Sequence, residues 1–263
     1  MIEQSIIRKV SLVGNGAHIF APKEWVGEEI VLIRKPRKPI RERIWEVLEP
    51  YLEDISGAFL FGSYARGEER EGSDIDLFAI TNKKIKIKEK GFGVICVEED
   101  KFKDAVNLAP VMVYSMLSEA KPIVNAGSLE KLRMKYKPKL MDFKKFLEDC
   151  ERAIKINEEL LKVNKEEYID GSTYAYSLIL RLRGVFIIQC LLKRQVCSYK
   201  LFRSWVQSVI KGVDFDEVYS TYLNAKANIE RKRKLKVSNL AALLELLKKE
   251  VYELKNGKKK KKA

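Results

Sequence analysis

The chain has 263 residues, of which 46% are hydrophobic and 33% charged, a composition that excludes a disordered or fibrous protein and suffices for two domains. Its net charge of +14 is uneven, because residues 1–150 carry 26 Lys and Arg against 24 Asp and Glu, whereas residues 151–263 carry 25 against 13. The C-terminal half is therefore expected to attract a polyanion or an anionic substrate; solubility alone is the alternative explanation.

We expect no membrane span, because no apolar run approaches the ~20 residues that a span needs, and we find no signal-peptide core near Met1. A cytoplasmic protein is the default. The four cysteines have no metal-ligand spacing and are expected to be reduced and structural. The single histidine, His18, argues against mechanisms that need a histidine base.

The first 33 residues predict a small β module with one helical turn. Strands are predicted over residues 6–10, 18–20 and 29–33, a turn over 13–17, and the helical turn over 22–25. This order resembles the AbrB-like swapped-hairpin module. The resemblance implies a homodimer, with DNA contact through Arg8, Lys9 and Lys23; a β appendage packed on the next domain is the alternative.

A basic, proline-broken linker over residues 34–39 predicts a domain boundary. An amphipathic helix is then predicted from Ile40 until Pro50 ends it near Leu52.

Residues 57–80 predict two buried strands, 58–61 and 77–80, that bracket a turn and a short helix over 64–68. Gly62 allows a backbone to approach a ligand closely, and Ser63 offers a hydroxyl and an N–H where the helix begins, as in phosphate-binding turns. On its own, a Gly-Ser pair is also typical of an ordinary turn.

Asp74 and Asp76 begin the second strand two residues apart, so the alternation of side chains places both carboxylates on one face. Two like charges on one face favour a cation between them, and Mg²⁺ prefers such oxygen ligands. The alternative for this pair is a solvated loop edge.

The two motifs together, Gly62-Ser63-Tyr64-Ala65-Arg66-Gly67 and Ser73-Asp74-Ile75-Asp76-Leu77, resemble the signature of the DNA polymerase β-type nucleotidyltransferase superfamily, especially its minimal members. The resemblance implies a mixed sheet with flanking helices. It also implies that Gly62, Ser63 and Arg66 bind the phosphates of a nucleoside triphosphate. Asp74 and Asp76 would be the catalytic residues and the Mg²⁺ ligands.

The family usually adds a third carboxylate on a neighbouring strand, here predicted over residues 91–97. The usual position falls near Gly93, and the strand contains no acid. Glu98 is the nearest candidate for the third metal ligand, although an ordinary acid at a helix start is an alternative role for it.

Two further segments complete this domain. Residues 85–88 alternate Ile and Lys, which predicts a half-exposed edge strand, and Pro122 is predicted to open a short last strand. Lys121 is a candidate phosphate contact or an ordinary surface lysine.

Beyond Ser128, the predicted cap of a first helix, five long helices are predicted to form an antiparallel bundle. They are predicted over residues 143–163, 172–192, 198–209, 214–228 and 238–254. The bundle resembles the HEPN-type helical partners of minimal nucleotidyltransferases, but it has no histidine, which disfavours a ribonuclease. Arg181 or Arg183 could hold an acceptor or the triphosphate; a solvated helix face is the alternative.

The sequence thus predicts an α+β protein with a β module over 1–33, a nucleotidyltransferase domain over 40–127, a helical bundle over 128–256 and a disordered Lys-rich tail over 257–263. The expected activity is Mg²⁺-dependent transfer of a nucleoside monophosphate, AMP from ATP, to a hydroxyl acceptor with release of pyrophosphate. The acceptor is left open among a protein, a nucleic acid and a small molecule. The alternative is a nucleotide-binding regulatory or antitoxin-like protein that dimerises and binds DNA through its N-terminal module.

Overall fold

The computed structural model describes residues 6–33, 38–69, 72–229 and 234–257. The chain divides into two compact units, residues 1–45 and 46–263. The predicted linker and Lys-rich tail fall mostly outside the described residues. The boundary predicted between residues 127 and 128 lies inside the second unit and stays a prediction.

The first unit contains one hairpin, formed by β1 (Ser11–Val13) and β2 (Gly16–His18), and a 3₁₀ turn over Lys23–Trp25. The turn is confirmed at residues 14–15, inside the predicted 13–17, and the predicted helical turn is confirmed; the strand predicted over 18–20 is displaced, because β2 ends at His18. The strands predicted over residues 6–10 and 29–33 are wrong, because neither segment pairs with a neighbour among the described residues. An apolar extended run becomes a strand only when its backbone groups are paired.

Helix α1 (Ile40–Leu48) contains the boundary between the units and continues as a 3₁₀ helix over Glu49–Asp54, with Pro50 in its first turn. Proline fits there because it lacks only an N–H that has no helical partner.

The second unit begins with a four-stranded sheet of order β5-β4-β3-β6. The strands are β3 (Ile55–Phe61), β4 (Ile75–Thr81), β5 (Phe92–Glu98) and β6 (Lys121–Val124). Only the β4–β5 pair among these is parallel, so the sheet is mixed, as the sequence predicts. Four helices accompany it: α2 (Gly62–Arg66), α3 (Phe102–Leu108), α4 (Pro110–Glu119) and α5 (Ala126–Lys135).

Aromatic packing fixes one face of the sheet against these helices. The ring of Phe78 on β4 lies 5.7 Å from that of Phe59 on β3 and 5.8 Å from that of Phe102 on α3. All three side chains are buried. This contact holds the central strand pair, which carries both sequence motifs, in a fixed position.

Two local predictions are wrong. Residues 85–88 form no strand. Ile87 is buried while the flanking lysines are exposed, so the alternating pattern arises from the burial of one side chain and not from strand pairing. Helix α5 is capped by Asn125, whose Oδ1 accepts from the Ser128 N–H at 3.1 Å, and not by Ser128. Asn125 has φ +55°, a conformation that asparagine tolerates better than most residues.

The rest of the second unit is helical, as predicted. The helices are α6 (Lys144–Val163), α7 (Ser172–Leu192), α8 (Tyr199–Val209), α9 (Phe215–Lys226) and α10 (Val237–Asn256). A short antiparallel pair, β7 (Tyr168–Asp170) and β8 (Lys234–Lys236), ties two of the connections together. The four cysteines are free thiols, as predicted.

Helix α7 lies at the centre of this part and is more apolar as a whole than the sequence analysis allowed for. By length and composition it could cross a membrane, with a mean hydropathy of 1.6 over its most apolar window. However, 56% of that window is buried inside the structure, which is typical of the core helix of a soluble protein. The helix is apolar because other helices surround it.

Candidate functional site

The candidate site begins at the turn between β3 and α2. Gly62 has φ +74°, in the left-handed region that favours glycine. Helix α2 starts at Gly62, two residues before the predicted start, so Ser63 lies in its first turn. The Ser63 hydroxyl has no hydrogen-bond partner among the described residues and is half-exposed. The turn therefore leaves this hydroxyl available to a ligand.

The carboxylate of Asp76 lies between two glycines on neighbouring segments. A Cβ on Gly62 would lie 2.3 Å from Asp76 Oδ2, and a Cβ on Gly93 would lie 2.8 Å from Asp76 Oδ1. The strand register explains this arrangement, since Asp76 is opposite Phe61 on β3 and Gly93 on β5. Both glycines are needed to make room for the carboxylate.

Asp74 and Asp76 form the predicted acidic pair. Ile75 and Leu77 are fully buried, whereas Asp76 is half-buried and Asp74 is exposed, as the alternation along the strand predicts. Burial raises the pKa of the Asp76 carboxyl, and the negative charges of Asp74 and Glu119 raise it further. The two aspartates are therefore close enough to repel each other.

Glu119, the last residue of α4, joins the site from the helical side of the sheet. Its Oε1 accepts the Gly62 N–H at 2.9 Å, and its Oε2 pairs with Arg66 Nη1 at 2.5 Å. Arg66 also donates through Nε to Glu68 at 2.9 Å. The Glu119 side chain is only 6% exposed. A carboxylate thus occupies two of the groups predicted to bind phosphate.

The structure does not bring Glu98 to this site. Glu98 pairs with Thr81, five residues along the strands from the Asp76–Gly93 pair, a separation of roughly 16 Å at the usual rise of a strand. The candidate third metal ligand is therefore corrected: Glu98 lies at the opposite end of β5. The usual third position is closed as well, because Asp76 fills the space beside Gly93.

The arginines of α7 have different surroundings. Arg181 pairs with Asp149 of α6 at 3.1 Å and donates to the Ser177 carbonyl, so these two contacts hold its guanidinium within the helical part, although its buried Nε has no partner among the described residues. The hydrogen bond with Cys190 and burial raise the pKa of the Cys197 thiol, and the positive charge of Arg183 acts to lower it. A role for Arg183 in holding the acceptor or the triphosphate stays a prediction.

Sequence reasoning missed two charged residues of the site, Glu119 and Lys226. Lys226 ends α9, and its positive charge acts to lower the pKa of Asp76, as does that of Arg66. Its position depends on how the helices pack, and one lysine among many basic residues gave no signal. Glu119 stands directly before the predicted last strand, a position that could have suggested proximity to the strand ends.

The oxygen donors present fit the Mg²⁺ that the resemblance implies. Asp74 and Asp76 supply carboxylates in a place where negative charges already raise a carboxyl pKa, which favours a bound cation. Among the described residues, no group of three or more His, Cys, Asp and Glu side chains is placed to hold a metal. Mg²⁺ on this site would therefore take its other ligands from water and from substrate phosphates.

Comparison with known proteins supports the interpretation of the two motifs. The family model described as polymerase beta, nucleotidyltransferase, matches residues 42–129, which include both motifs and the sheet. A comparison with curated proteins found no match. The match ends within α5 and leaves the N-terminal unit's hairpin and the helical part outside.

The repulsion within the acidic pair can be measured. We expect Asp74→Asn to lower the pKa of Asp76, because the mutation removes one of the charges that raise it. Carboxyl ¹³C NMR titration would measure the shift, with Asp100→Asn, beyond the far end of β5, as the matched control.

The same mutation has a consequence for stability. A raised pKa of Asp76 in the folded state stabilises the fold at low pH, and this contribution is lost as the pH rises through that pKa. Asp74→Asn should therefore reduce this loss; an unchanged Asp76 pKa would contradict the pairing.

Proposed function

We propose, on the premise that residues 42–129 are a nucleotidyltransferase domain of the polymerase β superfamily, that the protein transfers AMP from ATP to a hydroxyl acceptor and releases pyrophosphate. The observation that carries this proposal is the close approach of the Gly62 turn to the Asp76 carboxylate. It supports a triphosphate and a metal-binding carboxylate held side by side. We place the reaction in the cytoplasm, a reducing compartment that suits four free thiols.

The residues of the chain would act by positioning and by charge. Ser63 would hold the triphosphate through its backbone N–H and its hydroxyl. The Gly62 N–H and Arg66 would join it once the triphosphate displaces the Glu119 carboxylate from them. Asp74 and Asp76 would hold Mg²⁺, which supplies charge neutralisation at the phosphates. The acceptor oxygen would attack the α-phosphorus in line as the bond to the bridging oxygen breaks, so that pyrophosphate leaves with the electron pair and the hydroxyl proton is released.

The positive charge of the helical part supports an anionic acceptor. Lys226, at the end of α9, is a positive charge that acts to lower the pKa of the Asp76 carboxyl. It could bind a phosphate or carboxylate group of the acceptor, or the departing pyrophosphate, and Arg183 is a second candidate for that role.

Transfer can be tested with ATP labelled at the α-phosphate, Mg²⁺ and a cell extract. We expect label on an extract component, and at least about a hundredfold less with Asp74→Ala/Asp76→Ala, because the charges that hold the metal are gone. Asp100→Ala is the matched control, since Asp100 is an exposed acid beyond the far end of β5. Nucleotide binding without any transfer of label from ATP, CTP, GTP or UTP would reject the enzyme.

The contact of Glu119 with Arg66 predicts competition with the triphosphate. We expect Glu119→Gln to tighten the binding of Mg²⁺·ATP about tenfold, or about 1.4 kcal/mol, because the mutation removes a negative charge and releases Arg66. Glutamine keeps an oxygen that can accept the Gly62 N–H. Isothermal titration calorimetry would measure the affinity, with Glu130→Gln, which breaks a surface pair to Arg133, as the control. Weaker binding would show instead that Glu119 supports the turn.

The second candidate function is a regulatory or antitoxin-like protein that binds nucleotide, dimerises and contacts DNA. The observation that favours it is the exposure of residues 6–33, every one of which is exposed or half-exposed. Large apolar side chains are among them; Leu12, Val26, Val31 and Ile33 are more than four-fifths exposed. Such a unit needs a partner to bury its apolar surface, and a second copy would supply it.

Dimerisation can be tested by sedimentation velocity of the full chain. We expect a dimer that Val31→Glu/Ile33→Glu converts to a monomer, because charged groups would be buried at the interface. Met134→Glu/Met141→Glu, at two exposed positions of the second unit, is the matched control. A monomer before any substitution would exclude this candidate. If the dimer also binds DNA through Arg8, Lys9 and Lys23, its affinity should fall linearly with the logarithm of salt concentration.

A further inference from the structure

A second feature of the sheet lies away from the candidate site. Strand β5 is the edge of the sheet and pairs with β4 on one side only; no described strand pairs with its outer side. Alternate peptide groups of an edge strand point outward. The Phe92 N–H already donates to the Glu89 carbonyl at 3.1 Å, so the outward groups that follow it on β5 are the ones open to another extended chain. Seven residues, Phe92–Glu98, form this edge.

A cavity of about 860 Å³ lies over the edge. Its lining includes Val94 and Cys96, which lie on one face of the strand, and Ile95 and Val97, which lie on the other. A single cavity that reaches both faces must pass around the outer side of β5. Such a cavity exposes the backbone as well as the side chains.

The cavity has a wall on each face of β5. Ile95 and Val97 pack against the core that contains Phe102, so α3 forms the wall on that face. The Cys96 thiol interacts with the backbone of Ile87, so the segment before β5 forms the other wall. An edge strand beside a helix is a recurring site for an added peptide strand.

We call the outer edge of β5 with its two walls the trough. The residues along its rims are mostly basic. The lining contains four lysines and only two acids, Glu98 and Asp104. The lysines are Lys84, Lys86, Lys101 and Lys145. Within the described part of the chain, only Lys101 of the four has an ion pair, at 3.6 Å from Asp100. A second cavity of about 510 Å³ shares Lys86 and Val94 with the first and adds Lys88, Lys90 and Glu89. The two cavities together follow the whole edge.

We propose that the outer edge of β5 binds an extended, acidic peptide segment of a partner protein by strand addition. The peptide backbone would pair with the outward peptide groups of β5. Its acidic side chains would meet the lysines, and its apolar side chains would lie on Val94, Ile95 and Val97. This surface is separate from the candidate site, and the proposal does not depend on nucleotidyl transfer.

Two other occupants fit the trough less well. Single-stranded nucleic acid is bound by aromatic and arginine side chains that stack on bases, and the residues that line these cavities include one aromatic, Phe92, and no arginine. A second copy of the chain, paired β5 to β5, would bring two lysine-rich rims together, and their like charges would repel.

Fluorescence anisotropy of a fluorescein-labelled octapeptide of alternating Glu and Val, titrated with the full chain, tests the proposal. We expect saturable binding that weakens with salt and is at least about tenfold weaker for the same peptide N-methylated at every residue, which keeps the charges and removes the backbone donors. A Lys-Val octapeptide should not bind. Lys84→Glu/Lys86→Glu should weaken binding at least about tenfold. Lys155→Glu/Lys249→Glu, at exposed sites on α6 and α10, should leave it unchanged.

Hydrogen exchange would locate the bound peptide, because strand addition should slow exchange of the outward amides of Gly93–Glu98 and of no other strand. Absent binding, equal binding of the N-methylated peptide, or protection elsewhere would overturn the proposal. A labelled oligo(dT) that binds more tightly and is released by Lys84→Glu/Lys86→Glu would assign the trough to nucleic acid. Self-association of the chain that the same variant abolishes would assign it to a second copy.

Discussion

The position of one carboxylate, that of Asp76, constrains the rest of the candidate site. It fits between the backbones of Gly62 and Gly93, where a Cβ on either glycine would lie within 3 Å of an Asp76 oxygen. Neighbouring strands are only about 4.8 Å apart, so the Asp76 carboxylate on the face of β4 takes the space that side chains at the flanking positions would need. The glycine turn, the acidic strand and the side-chain-free position on β5 are therefore consequences of one packing requirement.

The carboxylate of Asp76 lies near two other negative charges, and two cationic side chains act against them. Asp74, Asp76 and Glu119 are close enough for the first and third to raise the pKa of the second. Arg66 is shared between Glu119 and Glu68, so little of its charge is left to oppose Asp76, and Lys226 acts from α9. Further positive charge is favourable at this site, which is the physical basis for expecting Mg²⁺ to enter together with a triphosphate.

Local patterns predicted the site's centre and failed at its periphery. Gly62 and the Asp74–Asp76 pair follow from glycine's conformational freedom and the two-residue period of a strand, which neighbouring residues determine. Glu98 was assigned by proximity in sequence, but the parallel register places it at the far end of β5. Glu119 and Lys226 reach the site through helix packing, which no local period encodes. The same limit explains residues 85–88, where alternation correctly predicted a buried Ile87 but not the absence of strand pairing.

The missing acid at Gly93 does not by itself decide between an enzyme and a binding protein. Transfer of a phosphoryl group passes through a loose transition state in which the attacking hydroxyl carries little charge, so positioning and neutralisation contribute more than a base does. In the proposed reaction Gly62, Ser63 and the aspartate pair would supply positioning, and Arg66 and Lys226 would supply charge. If nucleotidyl transfer shares this looseness, the site needs Arg66 released from Glu119 more than it needs a third carboxylate. On that reasoning the contact between Glu119 and Arg66, more than the glycine on β5, would limit how well the site neutralises a bound triphosphate.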